Sequence, residues 1–135
     1  MAKTPNSVER KMYAAFAESF QRCWACGWQA GYREWCLPRL ENAHIVGGPG
    51  RRHDRRALVR LCEGCHRLAH GFRVVLGGTA VPTLGIRQMV WLKQEFDPEF
   101  LDVAYLMGLR VKRGESIEPE ELPVWFLAQR AKHGA

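Results

Sequence analysis

No run of eighteen apolar residues occurs in this 135-residue chain, which excludes a membrane-spanning helix on length alone. The opening MAKTPNSVERK lacks a basic stretch followed by an apolar one, so no secretory leader is expected. Internal repeats are missing too. Cysteine is scarce, with five residues, and no export signal accompanies them. A cytoplasmic location is expected, where thiols stay reduced and closely spaced cysteines hold metal more readily than they form disulfides. No membrane association and no small-molecule organic cofactor are expected, and protein partners are not legible. What remains is a globular composition, 47% hydrophobic and 25% charged, enough for one domain of modest core.

Acidic residues are thin in the middle of the chain. Between residues 51 and 73 seven arginines face only Asp54 and Glu63, while residues 97–121 carry seven acids against three basic residues. A basic centre beside an acidic C-terminal part suits a polyanion bound at the centre. A solvated face with scattered ion pairs is the plainer alternative.

Four of the cysteines form two Cys-x-x-Cys pairs, Cys23/Cys26 and Cys62/Cys65, separated by 35 residues. Each pair closes a tight loop whose thiolates can reach one tetrahedral ion, so the spacing predicts a closed structural zinc site. Such a site does no chemistry; it ties the ends of the intervening segment and contributes folding energy directly. Cys36 has no partner at metal spacing and reads as a small buried hydrophobe.

Three histidines lie in suggestive places. His44 sits in the β-favouring stretch RLENAHIVG, where it could be a satisfied core residue, a metal ligand or a general base. His66 and His70 follow the second cysteine pair four residues apart, one turn above the other on a helix that Gly71 would stop. They suit either half of a metal site or two exposed helix positions. A zinc ion joining the two knuckles would draw the His44 strand towards this helix, so the three histidines are expected to converge.

The order of ENAHI, a loop rich in Gly and Arg, and LVRLCEGCHRLAHG resembles the His-Asn-His (HNH) nucleases over residues 23–72. The stand-alone members are frequent in phages and bacteria, which for a phage-encoded chain would mean the cytoplasm of a bacterial host. The resemblance implies an α+β fold with a ββα-metal (His-Me finger) core and a four-cysteine zinc site, flanked by N- and C-terminal helices. It implies a zinc-stapled core at 23–72. With the flanks read from their own residues, an N-terminal helix at 6–20 and a helical extension at 73–135, one nuclease domain over 1–135 is expected. His44 matches the general base, and His66 and His70 match the ligands of a catalytic divalent cation such as Mg2+, Mn2+ or Ni2+. The implied activity is metal-dependent hydrolysis of DNA phosphodiester bonds, nicking or cleaving with low sequence specificity. Arg51, Arg52, Arg55, Arg56, Arg60 and Arg67 would then hold phosphates of the DNA partner.

Two positions depart from the family pattern. Ala43 stands where a His or Asp ligand often precedes the base, and Ala57 stands at the middle Asn. The first predicts a loosely held ion, and the second removes a side chain that braces the loop. His53 and Asp54 are candidate substitutes, although loop residues of these types are more often only solvated. The departures also support an alternative: a catalytically degenerate, zinc-stabilised nucleic-acid-binding module.

The flanks read as scaffold. Asn6 and Glu9 form a capping box for the first helix, with Val8, Met12, Phe16 and Phe20 as its apolar stripe. Trp24, Trp28, Tyr32 and Trp35 crowd the first knuckle, in packing rather than in stacking on bases. Residues 72–78 suggest a short strand ending in a Gly-Gly turn. A helix capped by Thr83 is expected over 83–96, another from Asp97 to about Gly108, a polar link at 111–123 and a last helix from Pro123 to about Lys132.

Overall fold

The computed structural model describes residues 7–28, 39–46, 54–109 and 116–133. Asn6, Tyr32, Trp35, Cys36, Arg51, Arg52 and His53 lie outside the described residues, and with them the expectations placed on their side chains. The fold is α+β, with five α-helices and two small antiparallel sheets among the described residues.

Helix α1 (Ser7–Ser19) covers nearly the expected range. Its stripe faces the core at one end only: Phe16 is fully buried and Phe20 half-buried, whereas Val8 and Met12 are exposed. The reason is geometric. A spacing of four residues turns about 40° per step on a helix of 3.6 residues per turn, so a four-member stripe drifts off any single face.

Strands β1 (Leu40–His44) and β2 (Leu58–Cys62) pair antiparallel, with Leu40 opposite Cys62 and His44 opposite Leu58. Helix α2 (Glu63–Ala69) follows β2 without a linker. In β2 Leu58, Val59, Leu61 and Cys62 are fully buried, so this strand is covered on both faces. Phe16, Trp24, Trp28, Leu68, Val90, Leu92, Leu106 and Phe126 join it in one apolar cluster.

His70 caps the end of α2, and Gly71 follows at φ +84. The Gly71 N–H donates to Leu68 O and the Phe72 N–H to Arg67 O, which together make a Schellman stop. A Cβ on Gly71 would meet nothing, so Gly71→Ala carries a conformational penalty alone. We expect about 1 kcal/mol of lost stability in urea unfolding, and an unchanged midpoint would contradict the left-handed stop.

Next come β3 (Val75–Leu76) and β4 (Thr79–Ala80), a hairpin turned by Gly77 and Gly78, both at positive φ. The sequence anticipated the turn but not the two-residue return strand. Helix α3 (Ile86–Phe96) is capped by Gly85, not Thr83. Buried Leu84 holds the approach extended by donating its N–H to Leu68 O, and Gln88 Oε1 accepts the Gly85 N–H.

Asp97 does not start a continuous helix. A 3-10 turn at Pro98–Phe100 comes first, and α4 (Val103–Leu109) begins later, with Asp102 Oδ1 accepting the Tyr105 N–H. The Asp97 carboxylate is taken by Arg55 and Lys93, which leaves none of it for capping. The segment read as a polar link is docked onto α3 where it is described. Ile117 and Leu122 are buried, and Arg87 bonds Glu118 O. Helix α5 (Val124–Lys132) closes the described chain as expected. Among the described residues no helix is long and apolar enough to cross a membrane.

Candidate functional site

The sulfur atoms of Cys23, Cys26, Cys62 and Cys65 all lie within 4.8 Å of one another, and all four side chains are buried. Two local turns bring them there. At the first knuckle the Cys23 N–H donates to Trp28 O, the Gly27 N–H donates to Cys23 O, and Gly27 takes φ +78 to close the loop. At the second, Cys62 ends β2 and caps α2, its Sγ accepting the Cys65 N–H at 3.4 Å. The Trp24 N–H donates to Arg60 O, which pins the first knuckle to β2.

The donor set suits a tetrahedral ion. A Zn–S bond of about 2.3 Å implies S···S edges of about 3.8 Å, and Cys26 Sγ lies 3.8 Å from Cys62 Sγ. That separation is also far beyond the roughly 2.05 Å of a disulfide. The Cys26 and Cys65 N–H groups donate to Cys23 Sγ and Cys62 Sγ. The four cysteines are positioned to bind a metal ion, consistent with structural zinc.

His44, His66 and His70 line one cleft of about 390 Å³. Ile45, Val46 and Ala69 extend that lining, and Leu84, Gly85, Ile86 and Met89 at the start of α3 form the opposite wall. Convergence follows from the register. Cys62 ends β2 opposite Leu40, so α2 starts beside the beginning of β1 and carries His66 and His70 back along it. The Nε2 atoms of His66 and His70 are 3.2 Å apart, and their rings are 4.8 Å apart between centroids. His66 Nδ1 lies 2.9 Å from Glu41 Oε1.

The two departures are both buried. Ala43 and Ala57 are completely inaccessible, so neither offers a donor to the cleft. Ala57 still organises the end of β1 through its backbone, its carbonyl accepting the Ile45 N–H at 2.8 Å.

Three of the candidate phosphate-binding arginines have internal roles. Arg55 makes a two-point ion pair with Asp97, at 2.8 and 3.1 Å, and lies over the Phe100 ring. Arg56 reaches Asp54 and Asp102 and covers the Tyr105 ring. Arg60 donates to Phe20 O and Asn42 Oδ1. Arg67 is exposed and has no ion pair among the described residues. Asp54 caps the short 3-10 turn at Arg55–Ala57 by accepting the Arg56 N–H. Burial disfavours its charge, but the Arg56 hydrogen bonds outweigh that and hold its carboxyl below the ordinary range.

Two groups were not singled out from the sequence. Glu41 reads as an ordinary polar strand residue, and only the strand–helix packing reveals its bond to His66. Lys93 lies in an amphipathic helix, where a lysine signals a solvated face, yet it is fully buried. Its ammonium donates to Arg55 O, Leu58 O and Asp97 Oδ2 at 2.6, 2.8 and 2.7 Å. The aromatics at the first knuckle are core: Trp24 and Trp28 are buried, and Trp24 stacks on Phe96. Arg130 of α5 braces this knuckle by donating to the Trp24 and Ala25 carbonyls.

Compared with family models, with curated proteins and with solved structures, the chain gives no match.

Proposed function

We propose that the chain is a metal-dependent endonuclease of the HNH type, hydrolysing DNA phosphodiester bonds with little sequence preference. The observation that carries this reading is the shared cleft of His44, His66 and His70 beside a four-cysteine metal centre. The order of β1, β2 and α2 supports a ββα-metal core, with zinc as its structural ion.

His66 and His70 would hold the divalent cation through Nε2, the two atoms being 3.2 Å apart. With metal–nitrogen bonds of about 2.1 Å, neighbouring ligands fall roughly 3.0–3.4 Å apart, so the pair fits. When bound, such a cation supplies Lewis acidity at the scissile phosphate and at the leaving oxygen. His44 takes the proton of the attacking water, a task that an imidazole of reference pKa about 6.5 performs near neutral pH. Ala43 adds no ligand, so water and phosphate oxygens would have to complete the site, and affinity for the ion is expected to be low without DNA. Arg67, with Arg51 and Arg52, supplies the phosphate contacts of this reading, while Arg55, Arg56 and Arg60 brace the fold.

The test is conversion of supercoiled plasmid to open circles by the zinc-loaded protein with Mg2+, Mn2+ or Ni2+. His44→Ala is expected to lower the rate about 10²–10⁴-fold. DNA binding that persists while neither protein cuts with any ion would remove the nuclease reading. It would favour the second reading, a zinc-stabilised binding module, which the buried Ala43 and Ala57 support.

A further inference from the structure

Both nitrogens of the His66 imidazole have a close polar neighbour. Glu41 Oε1 sits 2.9 Å from Nδ1, and His70 Nε2 sits 3.2 Å from Nε2. We propose that Glu41 is a positioning residue that holds His66 in the Nδ1–H tautomer, so that its Nε2 lone pair and that of His70 address one divalent cation. The inference rests on the nuclease reading of the two histidines and deepens it.

An ionised carboxylate only accepts hydrogen bonds, so Nδ1 must be the donor in this pair. A neutral imidazole carries a single N–H, which leaves Nε2 as the lone-pair atom. The carboxylate also fixes the ring's rotation, because His66 sits on α2 and Glu41 on β1, elements already clamped together. Arg39 strengthens that clamp. Its guanidinium lies 3.7 Å from Glu41 Oε2 and 2.7 Å from Glu63 Oε1, in the first turn of α2. Carboxylate partners of metal-binding histidines act in this way, setting tautomer and orientation and raising ligand basicity. The need is greater here than in a site with three protein ligands. With Ala43 silent, the affinity of a two-histidine pair depends on how little ordering remains to be done on binding.

The test uses the zinc-loaded full chain and Ni2+ as the probe. Calorimetry should find that Glu41→Ala and the isosteric Glu41→Gln bind Ni2+ about 10–100-fold more weakly. Nitrogen NMR of the Ni2+-free protein should give His66 as the Nδ1–H tautomer in the parent and as a mixture in Glu41→Ala. Thermal melting should change little, since the Glu41 side chain stays 31% accessible and its partners Arg39 and His66 stay 68% and 24% accessible. If His66→Ala abolishes Ni2+ binding while neither Glu41 variant changes affinity, Glu41 has no positioning role and the nuclease reading stands. Weaker binding with an unaltered tautomer would also overturn the proposal. If His66→Ala and His70→Ala leave Ni2+ binding untouched, the metal assignment itself is lost, and the role of Glu41 with it.

Discussion

Replacing Cys62 by Ser is expected to yield a chain that does not fold at 25 °C, and a strong chelator should unfold the parent. Cys62 serves three structures at once. It ends β2, pairs with Leu40 across the sheet and caps α2 by accepting the Cys65 N–H. Its sulfur is also one of four brought within 4.8 Å, with Cys26 Sγ only 3.8 Å away. Without a cation, four buried thiols repel when ionised and pack poorly when neutral. With zinc, the apparent binding free energy of such sites is about 10–16 kcal/mol at pH 7. Domains of this size are stable by only about 5–15 kcal/mol in total, so loss of the metal removes most or all of the margin. Metal analysis should find about one tightly held zinc per chain, and circular dichroism should lose its cooperative melt when the metal is stripped. A metal-free protein with the same melt would refute the assignment.

Asp97→Ala is expected to destabilise the fold by about 3–5 kcal/mol in urea unfolding, although Asp97 lies well outside the histidine cleft. The Asp97 carboxylate bonds Arg55 and Lys93 together, and only 6% of its side chain is accessible. Removing it leaves two cations facing each other in the interior. Lys93 would retain only the Arg55 and Leu58 carbonyls. Burial alone would push the Asp97 carboxyl up, but the Arg55 and Lys93 hydrogen bonds outweigh it and hold it below the ordinary value. The stability Asp97 contributes is therefore fully present above the unfolded value of about 3.9 and is lost as pH falls through the lower folded one.

Lys93 works in the opposite sense. Burial lowers its folded pKa to about 8, against 10.5 for the ordinary side chain. Between these values the unfolded chain binds more protons, so stability should climb by about 3 kcal/mol as pH rises from about 8 to about 10.5. The climb should disappear in Lys93→Met. A difference between parent and Lys93→Met that stays flat over that range would show that burial of the ammonium carries no such penalty. A change of less than about 1 kcal/mol for Asp97→Ala would show that the network does not anchor α3 to β2.

The two cysteine pairs and the imidazole spacing were legible because local geometry dictates them. A Cys-x-x-Cys turn can present two thiolates to one ion whatever surrounds it, and residues four apart on a helix share a face. Gly71 was legible for the same reason, since a left-handed helix stop needs no partner far along the chain. The start of α3 was misread because buried Leu84 is tied to Leu68 O, which shifts the cap from Thr83 to Gly85. Asp97 was misread because its carboxylate is used by Arg55, 42 residues away, rather than by its own helix.

The arginine cluster marks the boundary most clearly. Sequence can count its charges but not neutralise them. Arg55, Arg56 and Arg60 read as a phosphate-binding row until Asp97, Asp102 and Asn42 arrive from elsewhere in the fold to bind them, alongside Asp54 from the same segment. Sequence alone made the two cysteine pairs, the paired helix histidines and the closing helix legible, because each follows from short-range spacing, while the α+β fold was implied there only by the family resemblance. The cleft shared by His44 and those histidines was expected from the cysteine knuckles, but only the tertiary structure decided that Glu41 lies 2.9 Å from His66 and that Lys93 is buried. The Coulomb and hydrogen-bond terms behind these last facts act over a few ångströms, between residues that only the β1–β2 register and the packing of α2 and α3 bring together.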